Sequence, residues 1–81
     1  MNREQALEIV RLAREQGKIP DLTGVNLTRV NLTQADLREA VLIRANLEGA
    51  NLDGADFTEA HIRGAKNIEK AKNIEKAKGL Q

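Results

Sequence analysis

The chain has no cysteine, no serine, no tryptophan and no tyrosine among its 81 residues. Without cysteine there are no disulfides and no thiolate metal ligands. Without serine there is no Ser-His-Asp triad. His61 is the single histidine, and one imidazole with no thiol beside it argues against a transition-metal site. Phe57 is the single aromatic residue, which leaves no platform for stacking bases. No P-loop or glycine-rich dinucleotide motif occurs. No apolar run is long enough for a membrane span or a secretory signal. The expectation is a cytoplasmic chain of one domain, with no cofactor, no metal and no membrane partner.

What the chain does have is a period. From Leu22 to Ile62 a bulky apolar residue recurs every five positions, at Leu22, Leu27, Leu32, Leu37, Leu42, Leu47, Leu52, Phe57 and Ile62. Two positions before nearly every one stands a small apolar residue, from Val25 and Val30 through Ala35, Ala40, Ala45, Ala50 and Ala55 to Ala60. A fixed period indicates a repeat architecture, which presents stacked surfaces more readily than a catalytic cleft.

Neither common element accommodates this spacing. On a helix, residues five apart point about 140° from each other, so the apolar set forms no stripe. On a straight strand an odd period turns the set to the opposite face at each repeat. The pattern is satisfied if each unit is a short extended piece followed by a turn, wound around a central apolar column. The intervening residues agree. Asp or Asn directly precedes most of the bulky residues, and Gly24, Gly49, Gly54 and Gly64 share one repeat position, which is turn chemistry.

Units such as Ala35-Asp36-Leu37-Arg38-Glu39 and Ala45-Asn46-Leu47-Glu48-Gly49 resemble the A(D/N)LXX motif of the pentapeptide repeat family. The resemblance covers residues 21–65. It implies an all-β solenoid, a right-handed quadrilateral β-helix with four repeats per coil, and a little over two coils here. Residues twenty apart would then stack, giving core columns Leu22–Leu42–Ile62, Leu27–Leu47, Leu32–Leu52 and Leu37–Phe57. Circular dichroism is expected to be dominated by β signal.

The flanks read differently. Residues 1–20 are expected to form a capping helix and linker. Asn2 is placed as N-cap with Gln5 completing a capping box, and Ala6, Ile9, Val10 and Ala13 make a stripe widened by Leu7 and Leu12. Gly17 and Pro20 end the helix. The helix is either a lid over the first coil or a partner-binding element. Residues 66–81 duplicate a six-residue unit, Ala65-Lys66-Asn67-Ile68-Glu69-Lys70 and Ala71-Lys72-Asn73-Ile74-Glu75-Lys76. They read as irregular coil with one extra residue per side, or as a short capping helix started by Asn67 and stopped by Gly79. The net charge is +1, but residues 66–81 carry five Lys against two Glu, while residues 21–65 carry four Arg against seven Asp and Glu. With Glu interleaved and no aromatics, the tail reads as a solvated terminus, and a nucleic-acid partner is not expected.

Two departures from the repeat are candidate sites. Val41 and Ile43 occupy outward positions that are polar elsewhere, beside His61, and paired apolar residues at the surface mark a binding patch or lie beneath another part of the chain. In the stacked register, Asp36 falls against Asp56 and Glu39 against Glu59, an acidic side relieved by Arg38. Stacked like charges repel. Some pentapeptide repeat proteins resemble duplex DNA and inhibit DNA gyrase, and an acidic side is what that role requires. Two functions follow as expectations. One is a non-enzymatic scaffold or protein-interaction module with an unidentified protein partner, with a homodimer through an uncapped end as one arrangement. The other is a DNA-mimicking inhibitor of a DNA-handling enzyme.

Overall fold

The computed structural model describes residues 1–71 and 73–79. One helix, α1 (Arg3–Glu15), is followed by a segment whose only helices are the single 3₁₀ turns Ile68–Lys70 and Ile74–Lys76, among the described residues. Between them the chain makes isolated parallel bridges: Asp21 with Val41, Asn26 with Asn46, Asn31 with Asn51, Asp36 with Asp56, and Val41 with His61. The partners differ by twenty in number, so the chain returns to lie beside itself every four units.

Each unit uses its backbone in the same way. The residue before the bulky one donates to the preceding pass, as Asn46 N–H does to the Val25 carbonyl at 3.0 Å. The bulky residue donates to the following pass, as Leu27 N–H does to the Asn46 carbonyl at 2.8 Å. A turn then closes, with Ala50 N–H donating to the Leu47 carbonyl at 3.0 Å. Its third residue is left-handed in every unit from Gly24 to Gly64, with Arg29, Gln34, Glu39, Arg44 and Glu59 held at φ between 60 and 65°. Glycine tolerates this conformation at no steric cost. The five long side chains occupy it because the ladders on both sides fix the backbone.

Leu22, Leu27, Leu32, Leu37, Leu42, Leu47, Leu52 and Phe57 are all fully buried, each contributing roughly 1.5–3 kcal/mol of apolar transfer. Among the described residues no polar or charged side chain is buried. The expectation of dominant β structure needs correction. The sides are too short to make strands, because the turn and its left-handed residue redirect the chain after two extended residues. The longest regular element is therefore α1.

The capping box forms as the sequence indicates: Gln5 N–H donates to Asn2 Oδ1 at 2.8 Å, and Asn2 N–H donates to Gln5 Oε1 at 3.0 Å. Ala6 is fully buried and Val10 nearly so, Leu7 and Ile9 pack partly against the core, and Leu12 stays 42% exposed. Two arginines add what the apolar stripe does not. Arg3 donates to the Asn31 carbonyl at 2.8 Å. Arg14 donates to the carbonyls of Asp36 at 3.1 Å and Arg38 at 3.0 Å. These carbonyls lie on the edge of the first pass, where no earlier pass exists to donate to them. Such an edge invites foreign pairing unless covered.

The tail keeps winding with a changed register. Asn46 bridges Lys66, twenty residues on, whereas Asp56 bridges Lys78, twenty-two residues on. The extra residue of each six-residue unit is absorbed by a 3₁₀ turn. Asn67 and Asn73 sit in the left-handed region at φ 58 and 57° and make no side-chain cap. The reading of Asn67 as a helix cap is thus replaced: its Nδ2 donates to Asn46 Oδ1 at 3.1 Å, and Asn73 Nδ2 to Asn51 Oδ1 at 2.9 Å. Ile62, Ile68 and Ile74 pack against the core only in part. Leu80, the last apolar residue of the tail unit, lies outside the described residues.

Candidate partner-binding face

The outer surface is organised by Asp and Asn side chains that bond to their own turns. Asp21, Asn26, Asn31, Asp36, Asn46, Asn51 and Asp56 each accept through Oδ1 from the N–H two residues on, at 2.9–3.2 Å. This Asx arrangement secures the turn without using a neighbouring pass. Val41 and His61 have no such oxygen. The side they share, stacked on Asp21 through the Asp21–Val41 and Val41–His61 bridges, is therefore the side where the repeat chemistry lapses.

Val41 and Ile43 are half-buried and His61 is exposed. Neither aliphatic side chain joins the buried core or the partly buried residues packed against it. Arg44 and Arg63 flank them, both exposed. Arg44 lies across the glycine of the next pass, where a Cβ added at Gly64 would come 3.4 Å from its Cγ. Ile19, 64% exposed, lines a hollow with Glu39, Glu59 and His61. Ile19 is a residue the sequence reading did not single out, since it belongs to the linker and to no periodic set.

The acidic side is less negative than its sequence implies. Asp36 and Asp56 do stack. Arg38, however, reaches Asp36 twice, with Nε on Oδ1 at 2.9 Å and a terminal nitrogen on Oδ2 at 3.0 Å, and Arg14 of α1 approaches Oδ1 at 3.4 Å. The hydrogen bonds from Arg38, and then the charge of Arg14, hold the Asp36 carboxyl at about 2. The Asp56 carboxyl is also lowered, by the Thr58 hydroxyl and N–H first, with Lys78 and Arg38 adding charge. The relief attributed to Arg38 alone is thus shared with Arg14 and Lys78. Nothing in the helical pattern marks Arg14 for this, because its target lies twenty-two residues away across the fold. Glu39 and Glu59 remain exposed and share a second hollow with Arg14, Arg38 and Thr58.

Among the described residues no group of three or more His, Cys, Asp or Glu side chains is placed to hold a metal ion. No helix is long and apolar enough to cross a membrane, again among the described residues. The arrangement places two half-buried aliphatic side chains among exposed polar and charged ones.

A search of the curated proteins found no match for the chain. The family model for pentapeptide repeats matches residues 21–58 in eight copies. These are the units whose turns, left-handed residues and twenty-residue return are described above, and residues 21–58 are a run of pentapeptide repeats.

Proposed function

We propose that the chain is a non-enzymatic scaffold or protein-interaction module, built as a right-handed quadrilateral β-helix and binding a protein partner through the Val41–Ile43 side. The twenty-residue return and the continuous apolar column support the helical winding. One observation carries the functional reading: two aliphatic side chains stand half-exposed outside the core, at the positions where every stacked neighbour is polar. Isolated surface aliphatics need no explanation, but a pair set among polar and charged groups is the composition of a small protein-binding patch. Cytoplasmic location belongs to the same reading.

The test is Ile43→Asp. The side chain lies outside the core, so the variant is expected to keep its fold by circular dichroism and thermal melting while losing its bound partner in affinity capture. Retained capture removes the reading. The alternative of a DNA mimic draws less support, since Arg14, Arg38 and Lys78 interrupt the acidic column. Absence of inhibition in a gyrase supercoiling assay at high protein concentration is the expected outcome.

A further inference from the structure

Across the Val41–Ile43 side the charges are sorted. Glu39 and Glu59 border one edge, where the preceding side ends. Val41 and Ile43 occupy the middle, with Ile19 against the acidic edge. Arg63 stacks on Ile43 one pass on, and Arg44 borders the other edge against Gly64. None of these four charged side chains makes an ion pair among the described residues; the pairs formed are Arg11 with Glu8 and Glu15, and Asp36 with Arg14 and Arg38.

We propose that this side pairs with the same side of a second copy of the chain, about a two-fold axis that lies in the interface and runs along the winding direction. The proposal rests on the reading of this side as a binding surface and names its occupant. That axis exchanges the acidic and basic halves of the side, so Glu39 and Glu59 of one copy face Arg44 and Arg63 of the other, twice over, while the aliphatic centres meet. Such a contact is isologous: one surface is its own complement. Charge complementarity of this kind selects the partner and its orientation. The end of the winding around Ile68 and Ile74 is a poorer meeting place for two copies. Its rim carries Lys66, Lys70 and Lys76, all exposed, and two such ends facing one another bring like charges together. The side is only three rungs tall, at about 4.8 Å per rung, and buries less than the roughly 800 Å² per partner of a standard interface. The dimer is therefore weak and forms at high concentration.

Sedimentation equilibrium on the full chain, from micromolar to millimolar concentration, is the test. The wild type is expected to shift toward dimer at the upper end, less so in high salt. Arg44→Glu with Arg63→Glu makes both borders acidic, and Glu39→Lys with Glu59→Lys makes both basic. Each double variant alone is expected to self-associate at least about tenfold more weakly. An equimolar mixture is expected to form the heterodimer, with circular dichroism verifying that both variants are folded. Ile74→Glu at that end is expected to leave self-association unchanged. A wild type that stays monomeric overturns the proposal, as do double variants that associate like the wild type, a mixture that fails to pair, or a dimer lost through Ile74→Glu. If the wild type is monomeric but Ile43→Asp abolishes capture of another protein, self-pairing falls and the binding-surface reading stands.

Discussion

The two ends of the wound segment are finished in different ways. At the first, α1 buries Ala6 and Val10 in the core and points Arg3 and Arg14 at three edge carbonyls. Leu22, Leu27, Leu32 and Leu37 in the first pass are consequently as dry as Leu42, Leu47 and Leu52 in the second. At the other end the bulky residues are Ile62, Ile68 and Ile74, all only partly buried, and among the described residues no helix longer than a single 3₁₀ turn lies there. The repeat supplies a column but cannot close it. An inward side chain is fully buried only when something stands on both sides of its rung.

The largest expected effect tests that contrast inside the column. Leu37→Ala should cost about 2–5 kcal/mol, the range for a fully buried leucine, whereas Ile74→Ala should cost less than half as much. Urea unfolding of the two variants measures both, and equal costs would erase the distinction between the ends. Next come the glycines. At Gly24 a Cβ meets nothing within 4 Å, so Gly24→Ala carries only the left-handed penalty at φ 69°, roughly 1–2 kcal/mol. At Gly79 an added Cβ would lie 2.5 Å from the Thr58 nitrogen. Gly79→Ala should therefore release the last rung, and the Phe57 amide, which donates to Lys78 O at 2.7 Å, should lose its protection in hydrogen exchange.

A smaller effect belongs to the covered edge. Arg14→Gln removes the charged donor from the Asp36 and Arg38 carbonyls and should cost about 1 kcal/mol, since these groups are open enough for water to replace part of the bonding. The smallest effect is acid sensitivity. The Asp36 carboxyl falls from its ordinary 3.8 to about 2 in the folded chain, and those of Asp21 and Asp56 move the same way. A depressed carboxylate stabilises the fold at pH values above its ordinary range, and that stability is lost as pH falls from about 4 toward about 2. Urea midpoints measured across this window should decline, and Arg38→Gln should flatten the decline by removing the donor chiefly responsible.

Much of this is written in the five-residue period. Leu32 stacks toward Leu52 and Asp36 toward Asp56 because an inward pair every fifth residue permits little else once four units make a turn. The capping box at Asn2 and Gln5 is legible for the same reason: its bonds are local. What periodicity does not carry is contact between segments with different rules. Arg3 and Arg14 read as ordinary solvated residues on a helix, and only the fold places an unpaired carbonyl edge beneath them. The meeting of Lys78 with Asp56 depends on two six-residue units each adding one residue, so it follows from the tail's register and not from its basic composition. Val41 and Ile43 stand out in the sequence as breaks in a polar position, but the placing of Glu39 and Glu59 to one side of them, and of Arg44 and Arg63 to the other, emerges only when passes lie side by side.

Methyl and aromatic NOEs in solution test the winding itself most directly. Leu32 with Leu52, Leu37 with Phe57, and Leu42 with both Leu22 and Ile62 are predicted to show strong contacts at twenty-residue separation. Contacts confined to neighbours three and four residues apart, with none at twenty, would contradict the account.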